Sequence, residues 1–325
     1  MDKTLKIIQE RWSKINPNER MFIPTKFGEK KDWEIVQIVD DVNKRGLQIT
    51  FNQKFQSNQK FPEFNILKIY SHTTSKTTDI FLILSDQQYN EHFDHLITHI
   101  VRSINSKNSP KEALKQLNKT FIMWKNLLST SPKKSLSDSI GLFGELWFLK
   151  NILSKNIKFD HAVDAWTSKF GSQDFNGESW SFEIKTTKKL NPTKISISSE
   201  SQLDSKNDHP IFLGFLSLNE NKPFEETLNN LVKTCREKCS NSTVLSIFDE
   251  KLLEYGYALY EPEAYSGIGF SAIYFKIFEV SSEFPKIIES DLCFGVNDVK
   301  YKINLSECLK FEKQITDIWS KKNEN

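Results

Sequence analysis

The feature that most constrains the fold is an uninterrupted apolar run at residues 210–218, which reads Pro-Ile-Phe-Leu-Gly-Phe-Leu-Ser-Leu. Successive side chains of a strand point to opposite faces, so a strand that is apolar throughout must be covered on both faces. Helical patterns lie on either side of this run in the chain. The sequence therefore predicts an α/β (α+β) protein in which a mixed sheet is flanked by helices.

A second strand pattern, Trp-Ser-Phe-Glu-Ile-Lys at residues 180–185, alternates strictly between apolar and polar side chains. The alternation predicts a half-buried strand that presents Glu183 and Lys185 side by side on its polar face. Asp174 lies nine residues upstream of Glu183. Two acids and a lysine are the groups that Mg²⁺-dependent phosphodiester cleavage requires.

The position of one turn decides whether the two acids can meet. The Asn-Gly dipeptide at residues 176–177 favours a two-residue hairpin turn at that point. Such a turn leaves Asp174 four residues short of Glu183, at roughly 13 Å, which is too far to share a metal ion. A turn centred on residues 178–179 places the two acids directly opposite each other. The metal-site hypothesis requires this later turn.

The most apolar helix is predicted over residues 136–153, and it is hydrophobic nearly all round. Between Asp138 and Lys150 its only charged residue is Glu145. An ionised carboxylate on such a face is costly unless it is paired or binds a metal. The sequence leaves both interpretations open: a metal ligand, or an acid paired with a lysine or arginine from elsewhere.

Roles follow if these residues converge. Asp174 and Glu183 would hold Mg²⁺, Lys185 would orient the attacking water or neutralise charge on the phosphate, and Glu145 would add a further ligand, directly or through water. Polar residues after Lys185 are expected to contact nucleic-acid phosphates. These candidate contacts are Thr186, Lys188, Lys189 and Lys194. An ordinary exposed strand face with a cross-strand acid is the alternative for Glu183 and Lys185.

Another acid–lysine pair, Asp298 and Lys300, competes with this site. Asp291 lies upstream of it and a strand-like segment follows. However, Gly-Val-Asn-Asp at residues 295–298 predicts a turn, and no apolar helix with a lone acid precedes it. The sequence therefore favours the site around Glu183.

Three histidines, His92, His95 and His99, lie along one stripe of a helix predicted over residues 86–104. They could share a metal, but they flank the apolar face and no HExxH pattern accompanies them. A solvated helix face is the favoured interpretation.

Two domains are predicted, a strand-rich α+β region at residues 1–108 and a second domain at residues 109–325. The boundary rests on a polar, proline-containing segment at residues 106–110. A second polar break is predicted at residues 129–134. The further predicted helices are 3–15, 111–128, 224–239 and 243–254, with a helix start at 199–203. The further predicted strands are 33–39, 47–51, 64–70, 80–84, 195–198, 270–280 and 299–303.

Composition limits the class of protein. The 325 residues carry a formal net charge of +2, which argues against a polybasic protein that coats DNA. The four cysteines form no CxxC pair, so we expect reduced thiols. The amino terminus has no apolar segment of signal-peptide length, and no run is long enough to span a membrane. A cytoplasmic location is therefore expected.

At these residues the chain resembles the PD-(D/E)XK nuclease superfamily, and it is similar to a bacterial family of PD-(D/E)XK proteins. The match is the helix Glu145, then Asp174, then Glu183-Ile184-Lys185, in the order of the superfamily. Further landmarks resemble the family pattern. They are Gly141-Leu-Phe-Gly-Glu-Leu-Trp-Phe-Leu149, Ala165-Trp166, Asp174-Phe175, Glu183-Ile-Lys-Thr-Thr187 and Ser199 to Leu203.

The resemblance implies a restriction-endonuclease-like core, use of Mg²⁺ or Mn²⁺, and cleavage of DNA by an endonuclease or nuclease subunit in restriction or phage defence. Other defence subunits and a second copy of the chain are the further partners it suggests. Gln202 corresponds to a glutamine of some related nucleases, although their accompanying tyrosine is absent. Gln173 replaces the usual proline before the first acid. A catalytically inactive DNA-binding or scaffolding subunit of the same fold is the alternative function.

Overall fold

A computed structural model of the chain describes residues 3–16, 20–22, 32–40, 42–55, 60–129, 136–167, 171–204, 209–221, 223–259 and 262–319. The chain forms two compact units. Unit 1 is Met1–Pro132 with Gly256–Tyr260, and unit 2 is Lys133–Tyr255 with Glu261–Asn325. The polar break predicted at residues 129–134 falls, apart from its first residue, outside the described residues.

Unit 1 contains an antiparallel five-stranded sheet in the order β1-β2-β3-β5-β4 and three helices. Side chains alternate between buried and partly exposed along β5, as expected for a sheet with one covered face. The helices are α1 (Lys3–Trp12), α2 (Asn90–Asn105) and α3 (Pro110–Ser129). The strands are β1 (Arg20–Phe22), β2 (Trp33–Val39), β3 (Arg45–Phe51), β4 (Leu67–Thr73) and β5 (Thr78–Leu84). The predicted strand-rich α+β region is therefore confirmed.

The helix α3 groups with unit 1, whereas the sequence places the corresponding residues in the second domain. A compact unit is defined by its contacts, whereas the predicted boundary after residue 108 separates segments that would fold independently. That boundary stays a prediction.

Unit 2 is built on a mixed sheet in the order β10-β11-β9-β7-β6, with β13 beside β11, and a separate pair of β12 and β8. Its strands are β6 (Phe175–Asn176), β7 (Ser181–Thr187), β8 (Lys194–Ile197), β9 (Ile211–Asn219), β10 (Glu226–Thr227), β11 (Gly269–Glu279), β12 (Tyr301–Asn304) and β13 (Glu312–Lys313). Its helices are α4 (Leu136–Phe148), α5 (Ser154–Asn156), α6 (Phe159–Ala165), α7 (Leu228–Lys238), α8 (Ser242–Glu254), α9 (Leu305–Cys308) and α10 (Ile315–Trp319).

The apolar run at residues 210–218 is the central strand, as predicted. Strand β9 is buried along all but its last residue. It pairs in parallel with β7 and antiparallel with β11, so the sheet is mixed. The predicted mixed sheet flanked by helices is confirmed.

The helix of Glu145 runs on beyond α4 as a π-helical turn at Leu149–Leu153 and then as α5. Its N-terminal half lies directly on β7, where Gly144 approaches Thr186. A Cβ atom on Gly144 would lie 1.8 Å from Thr186 Oγ1, so only glycine permits this contact. Glu145 is thereby fixed one residue from the contact between helix and sheet.

The opposite layer is formed by β8, β12 and a short 3₁₀ turn at Glu200–Leu203. Apolar residues from this layer form one buried cluster with the strands of the main sheet. Members of the cluster are Ile195, Ile197, Leu203, Leu213, Phe215, Phe278 and Ile303. The turn was predicted as a helix start with serine capping, and Ser199 does cap it, since its hydroxyl accepts from the Ser201 amide at 3.1 Å.

Two predictions about burial and helix length are wrong. The first four residues of β7 are buried on both faces, so the strand is not half-buried, because the β8–β12 layer covers the face that the polar residues share. The helix predicted over residues 224–239 begins only at Leu228, because the preceding residues form β10 and Thr227 caps the helix.

The four cysteines are free thiols, as expected. Across the described ranges, the helices are too short or too polar to cross a bilayer.

Candidate active site

The hairpin that carries the two acids has the later of the two possible turns. Phe175 pairs with Phe182, and the Gly177 amide donates to the Trp180 carbonyl at 2.8 Å, which centres the turn on residues 178–179. Continued by one residue, this register places Asp174 opposite Glu183. The prediction of the later turn is confirmed.

The Asn-Gly dipeptide does not form the turn because neither residue has the positive φ that a type I′ turn requires. Packing explains the glycine instead. A Cβ atom on Gly177 would lie 2.4 Å from the Trp180 indole, so any larger residue would displace that ring. The local turn signal is therefore overridden by the packing of Trp180.

Asp174 is oriented by the backbone of β7. Its Oδ2 atom accepts a hydrogen bond from the Ile184 amide at 2.7 Å. Burial raises the pKa of Asp174 to about 6, and the positive charge of Lys185 opposes that rise. The carboxylate is held at a fixed point beside the strand that carries the second acid and the lysine.

Glu183 is almost fully buried, with 2% of its surface exposed. Burial and the nearby charge of Asp174 raise the pKa of Glu183 to about 8, although Lys185 acts in the opposite direction. Because the two carboxyls disfavour each other's ionisation, a cation added between them would be strongly stabilised.

Lys185 joins the two acids to the opposite layer. Its Nζ atom lies 2.6 Å from Glu183 Oε1 and donates to Gln202 Oε1 at 2.8 Å. Burial acts to lower the pKa of Lys185, but the charges of Glu183 and Asp174 outweigh it and raise that pKa. The ammonium is therefore charged and held in place from two directions.

Gln202 belongs to the same cluster. Its side-chain oxygen accepts from both Lys185 and the Ser198 amide, the latter at 2.8 Å. The position that the resemblance suggests for Gln202 therefore brings it into direct contact with the candidate lysine.

Gln173, which stands where the family usually has proline, ties the first acid to the turn that carries Gln202. Its Nε2 atom donates to the carbonyls of Ser201 at 3.0 Å, Gln202 at 3.4 Å and Asp204 at 3.3 Å. A proline could not form these bonds. In the sequence this role is marked only by an amide side chain directly before an acid, which does not reveal its partners.

Glu145 is buried, and its hydrogen bonds come from two neutral groups. Trp166 Nε1 donates to Glu145 Oε2 at 2.7 Å, and the Tyr255 hydroxyl donates to the same carboxyl group. Burial and the charge of Asp174 raise the pKa of Glu145 well above its usual range. Among the described residues no lysine or arginine forms an ion pair with Glu145, whose carboxyl group is bonded instead by Trp166 and Tyr255.

Trp166 and Tyr255 stack on each other, with ring centroids 5.3 Å apart and planes inclined by 20°. Lys251 fixes this group by donating to the backbone carbonyls of Val163 at 2.6 Å, Asp164 at 3.3 Å and Trp166. It thus caps the C-terminal end of α6, where a cation is favoured. Tyr255 and Lys251 carry no sequence signal for the site, because they are distant in the chain.

The residues predicted to contact phosphates differ in their exposure to solvent. Thr186 is half-buried against α4, and its hydroxyl has no hydrogen-bond partner among the described residues. Lys188 forms an ion pair with Glu220 at 2.6 Å, and Lys189 and Lys194 are exposed. Lys188, Lys189 and Lys194 therefore lie at the surface beyond the buried cluster.

The two competing sites are not formed. Asp298 and Lys300 are exposed, with Asp298 in a left-handed turn at φ 55°, and Asp291 is exposed as well. His99 is buried and accepts from Trp124 Nε1 at 3.0 Å, and burial lowers the pKa of His99 to about 3. The predicted solvated face is therefore wrong for His99, which packs in the core.

The donor set of the central cluster fits a hard divalent cation. Across the described parts of the chain, no three His, Cys, Asp or Glu side chains are grouped to hold a metal by themselves. Mg²⁺, however, commonly takes only one or two protein carboxylates and completes its sphere with water and substrate phosphate. Asp174 and Glu183 supply two such carboxylates, and each raises the electrostatic cost of ionising the other.

The profile of one protein family, described as "Putative PD-(D/E)XK family member, (DUF4420)", matches residues 8–306. The chain belongs to this family. Comparison with curated proteins and with solved structures gave no significant match. Family membership confirms the resemblance to a PD-(D/E)XK family, and the match extends over both units of the chain.

Proposed function

We propose that the protein is a nuclease that hydrolyses phosphodiester bonds of DNA with Mg²⁺ or Mn²⁺. The observation that carries this proposal is the convergence of Asp174, Glu183 and Lys185, two acids and a charged lysine on one hairpin. The family resemblance supports an endonuclease or nuclease subunit of a cytoplasmic restriction or phage-defence system, with other defence subunits or a second copy as further partners.

Asp174 and Glu183 would hold the metal ion, and Glu145 would contribute through water, since Trp166 and Tyr255 already occupy its carboxyl group. The metal would polarise the scissile phosphate and lower the pKa of a bound water. Lys185 neutralises charge that develops on the phosphate, because its ammonium is buried beside the acids and kept charged by them.

The surrounding residues hold these groups in fixed positions. Gln202 accepts from Lys185 Nζ and so limits the directions in which the remaining ammonium hydrogens point. The Ile184 amide fixes one oxygen of Asp174. Such preorganisation lets charged groups act on a transition state without reorganising during the reaction. Lys188, Lys189 and Lys194 would contact the phosphate backbone outside the cluster.

Cleavage of supercoiled plasmid with Mg²⁺ or Mn²⁺ tests the proposal. We expect Lys185→Ala to lower the rate by at least about 100-fold, the usual cost of losing one preorganised electrostatic group. Lys313→Ala is the matched control, since Lys313 on β13 forms an exposed ion pair with Glu279 and has no assigned role in the site, and it should stay within a few-fold of the parent protein. Equal rates for the parent and Lys185→Ala, or no cleavage by either, would contradict the proposal.

A non-catalytic DNA-binding or scaffolding subunit is the second candidate function. It is favoured by the fact that Glu183 and Gln202 already engage the Lys185 ammonium within the protein. Salt-dependent DNA binding that survives Asp174→Asn, with no cleavage by the parent protein, would select this candidate over the nuclease.

A further inference from the structure

Strands β8 and β12 of unit 2 form an antiparallel ribbon that is separate from the main sheet. Its inner face carries Ile195, Ile197 and Ile303, which belong to the buried apolar cluster shared with the main sheet. Because successive side chains of a strand alternate, the residues between these isoleucines point away from the core. The outward residues are Lys194, Ser196, Lys302 and Asn304, and all four are exposed. The ribbon therefore has one packed face and one face open to solvent.

The register of the ribbon fixes the pattern of its exposed face. Lys302 lies opposite Ser196, and Asn304 lies opposite Lys194. The two lysines therefore occupy one diagonal of the face, and the two neutral polar residues occupy the other. Diagonal neighbours on an antiparallel pair are about 7–8 Å apart. The face thus offers two cationic groups with hydrogen-bonding groups beside each of them.

The positive charge of this face is not balanced within the ribbon. Neither strand contains an aspartate or a glutamate. Among the described residues, neither Lys194 nor Lys302 has an ion-pair partner. By contrast, Lys276 on β11 and Lys313 on β13 each pair with a glutamate, at 2.6 and 3.0 Å. A ligand that carries negative charges along its length complements the exposed face of the ribbon.

The ribbon leads directly into the candidate active site. Strand β8 ends at Ile197, and the next amide, that of Ser198, donates to Gln202 Oε1 at 2.8 Å. The same oxygen accepts from Lys185 Nζ at 2.8 Å. Ser198 lies two residues from Ser196, which is roughly 7 Å along an extended chain. A long ligand that lies along the ribbon therefore extends towards the acidic cluster.

We propose that the exposed face of the β8–β12 ribbon docks in the major groove of duplex DNA and positions the duplex beside the acidic cluster. The major groove of B-DNA is about 12 Å wide and admits a two-stranded ribbon, whose strands lie only about 4.8 Å apart. Lys194 and Lys302 contact phosphates, and Ser196 and Asn304 face the base edges. This inference rests on the proposed function for DNA as the substrate, and it adds the duplex form and the surface that holds it.

Fluorescence anisotropy with a labelled DNA duplex, in EDTA, measures docking without cleavage. The double variant Lys194→Gln with Lys302→Gln removes two phosphate contacts. Its affinity should fall at least about fivefold, and the slope of log affinity against log salt concentration should become shallower by about 2. Lys155→Gln with Lys233→Gln is the matched control, because it removes the same charge from exposed lysines of α5 and α7. The affinity of this control should stay within about twofold of the parent protein.

A duplex that contains glucosylated hydroxymethylcytosine tests the groove. The glucose is attached at the pyrimidine edge that faces the major groove, so it fills that groove and leaves the phosphates and the minor groove unchanged. The parent protein should bind this duplex at least about tenfold more weakly than the unmodified one. Ser196→Glu is an independent variant that places an acid on the exposed face, and it should weaken binding of the unmodified duplex without lowering Tm.

The proposal is overturned if the parent protein binds the two duplexes equally or binds neither of them. It is also overturned if the ribbon variants bind the unmodified duplex as tightly as the control variant does. Plasmid cleavage by the parent protein separates this proposal from the nuclease. Cleavage together with unchanged binding by the ribbon variants overturns only the ribbon proposal, whereas binding that depends on the ribbon, without cleavage, overturns only the nuclease proposal.

Discussion

Two buried carboxylates, one in each unit, accept a hydrogen bond from a tryptophan indole and end in opposite electrostatic situations. Asp94 accepts from Trp12 at 2.6 Å and forms an ion pair with Arg45. Glu145 accepts from Trp166 at 2.7 Å, but its other donor is the neutral Tyr255 hydroxyl. Burial raises the pKa of both acids, and only Asp94 has a bonded cation that counteracts it.

The presence or absence of a bonded cation distinguishes the two acids. Asp94 stabilises the fold through its ion pair, whereas Glu145 belongs to a group of acids that disfavour one another's ionisation. A buried acid with a cation is satisfied within the protein, whereas Glu145 lies beside two further acids whose charges raise the pKa of Glu145 further. Clusters of this kind cost stability and are retained where function needs them. Removing the charge of the acid should therefore cost more stability at Asp94 than at Glu145.

The largest expected effect is on unit 1. Arg45→Met removes the cation and leaves the buried Asp94 charge uncompensated, which should lower the free energy of unfolding by about 3–5 kcal/mol. Urea denaturation measures it. Lys276→Met, which breaks the exposed Lys276–Glu312 pair, should cost no more than about 1 kcal/mol. Similar losses for the two variants would show that Asp94 does not depend on its arginine.

A smaller loss is expected where α4 approaches β7 in unit 2. Gly144→Ala places a methyl group on Thr186 and should cost about 1–3 kcal/mol through overpacking, with reduced plasmid cleavage. Gly141→Ala is the matched control in the same helix, because a Cβ atom there meets nothing within 4 Å. It should stabilise the helix by up to about 1 kcal/mol. Thermal melting of both variants gives the comparison.

The dependence of the free energy of unfolding on pH should reveal the ionisation of Glu183. Because the folded-state pKa of Glu183 is raised to about 8, the unfolded chain releases its proton first, near pH 4.3. This contribution is fully present below that pH and is lost as pH rises to about 8. At pH 8, Mg²⁺ at a few times its Kd should restore about 1 kcal/mol, measured as a rise in Tm.

The control for the pH experiment is Glu183→Gln, which cannot ionise. It should reduce the decline between about pH 4.3 and 8, to which Asp174 and Glu145 also contribute, and remove the rise in Tm with Mg²⁺. Glu220→Gln, an exposed acid, should leave both effects unchanged. If Mg²⁺ leaves the Tm of the parent protein unchanged at pH 8, the metal assignment for Asp174 and Glu183 is refuted.

The smallest effect on stability is expected for Glu145→Gln. Glutamine keeps an oxygen for the Trp166 indole and removes an acid that burial already makes costly to ionise, so the free energy of unfolding should change by less than about 1 kcal/mol. Asp94→Asn, the equivalent change in unit 1, should destabilise by more because it breaks an ion pair. Urea denaturation measures the free energy of unfolding of both variants. A greater loss in Glu145→Gln than in Asp94→Asn would contradict the proposed difference between the two acids.

The sequence predicts those parts of the site that depend on nearby residues. The apolar run at residues 210–218 indicates the central strand, and the hypothesis that Asp174 and Glu183 share a metal requires the later turn rather than the local Asn-Gly turn. The lone Glu145 on an apolar helix identifies the third acid. Each of these predictions depends only on residues that are close together in the sequence.

Other parts of the site arise only from tertiary packing. The Tyr255 hydroxyl bonds Glu145 from a residue 110 positions further along the chain, and nothing in the sequence around Tyr255 indicates this contact. The burial of both faces of β7 depends on the β8–β12 layer, which alternation within the strand cannot report. His99 was misassigned because three histidines at helical spacing do not reveal that α3 supplies Trp124.

The brevity of β6 has a practical consequence for testing the proposed nuclease activity. In the described hairpin, β6 pairs only with Ser181 and Phe182, and beyond them the Asp174 carboxylate takes the Ile184 amide that a longer strand would have bonded. Asp174 therefore also shields a sheet edge, and exposed edges promote intermolecular pairing. An alanine at this position would invite aggregation that resembles loss of catalysis. Asparagine keeps the acceptor, so it is the cleaner substitution for testing the proposed role of Asp174.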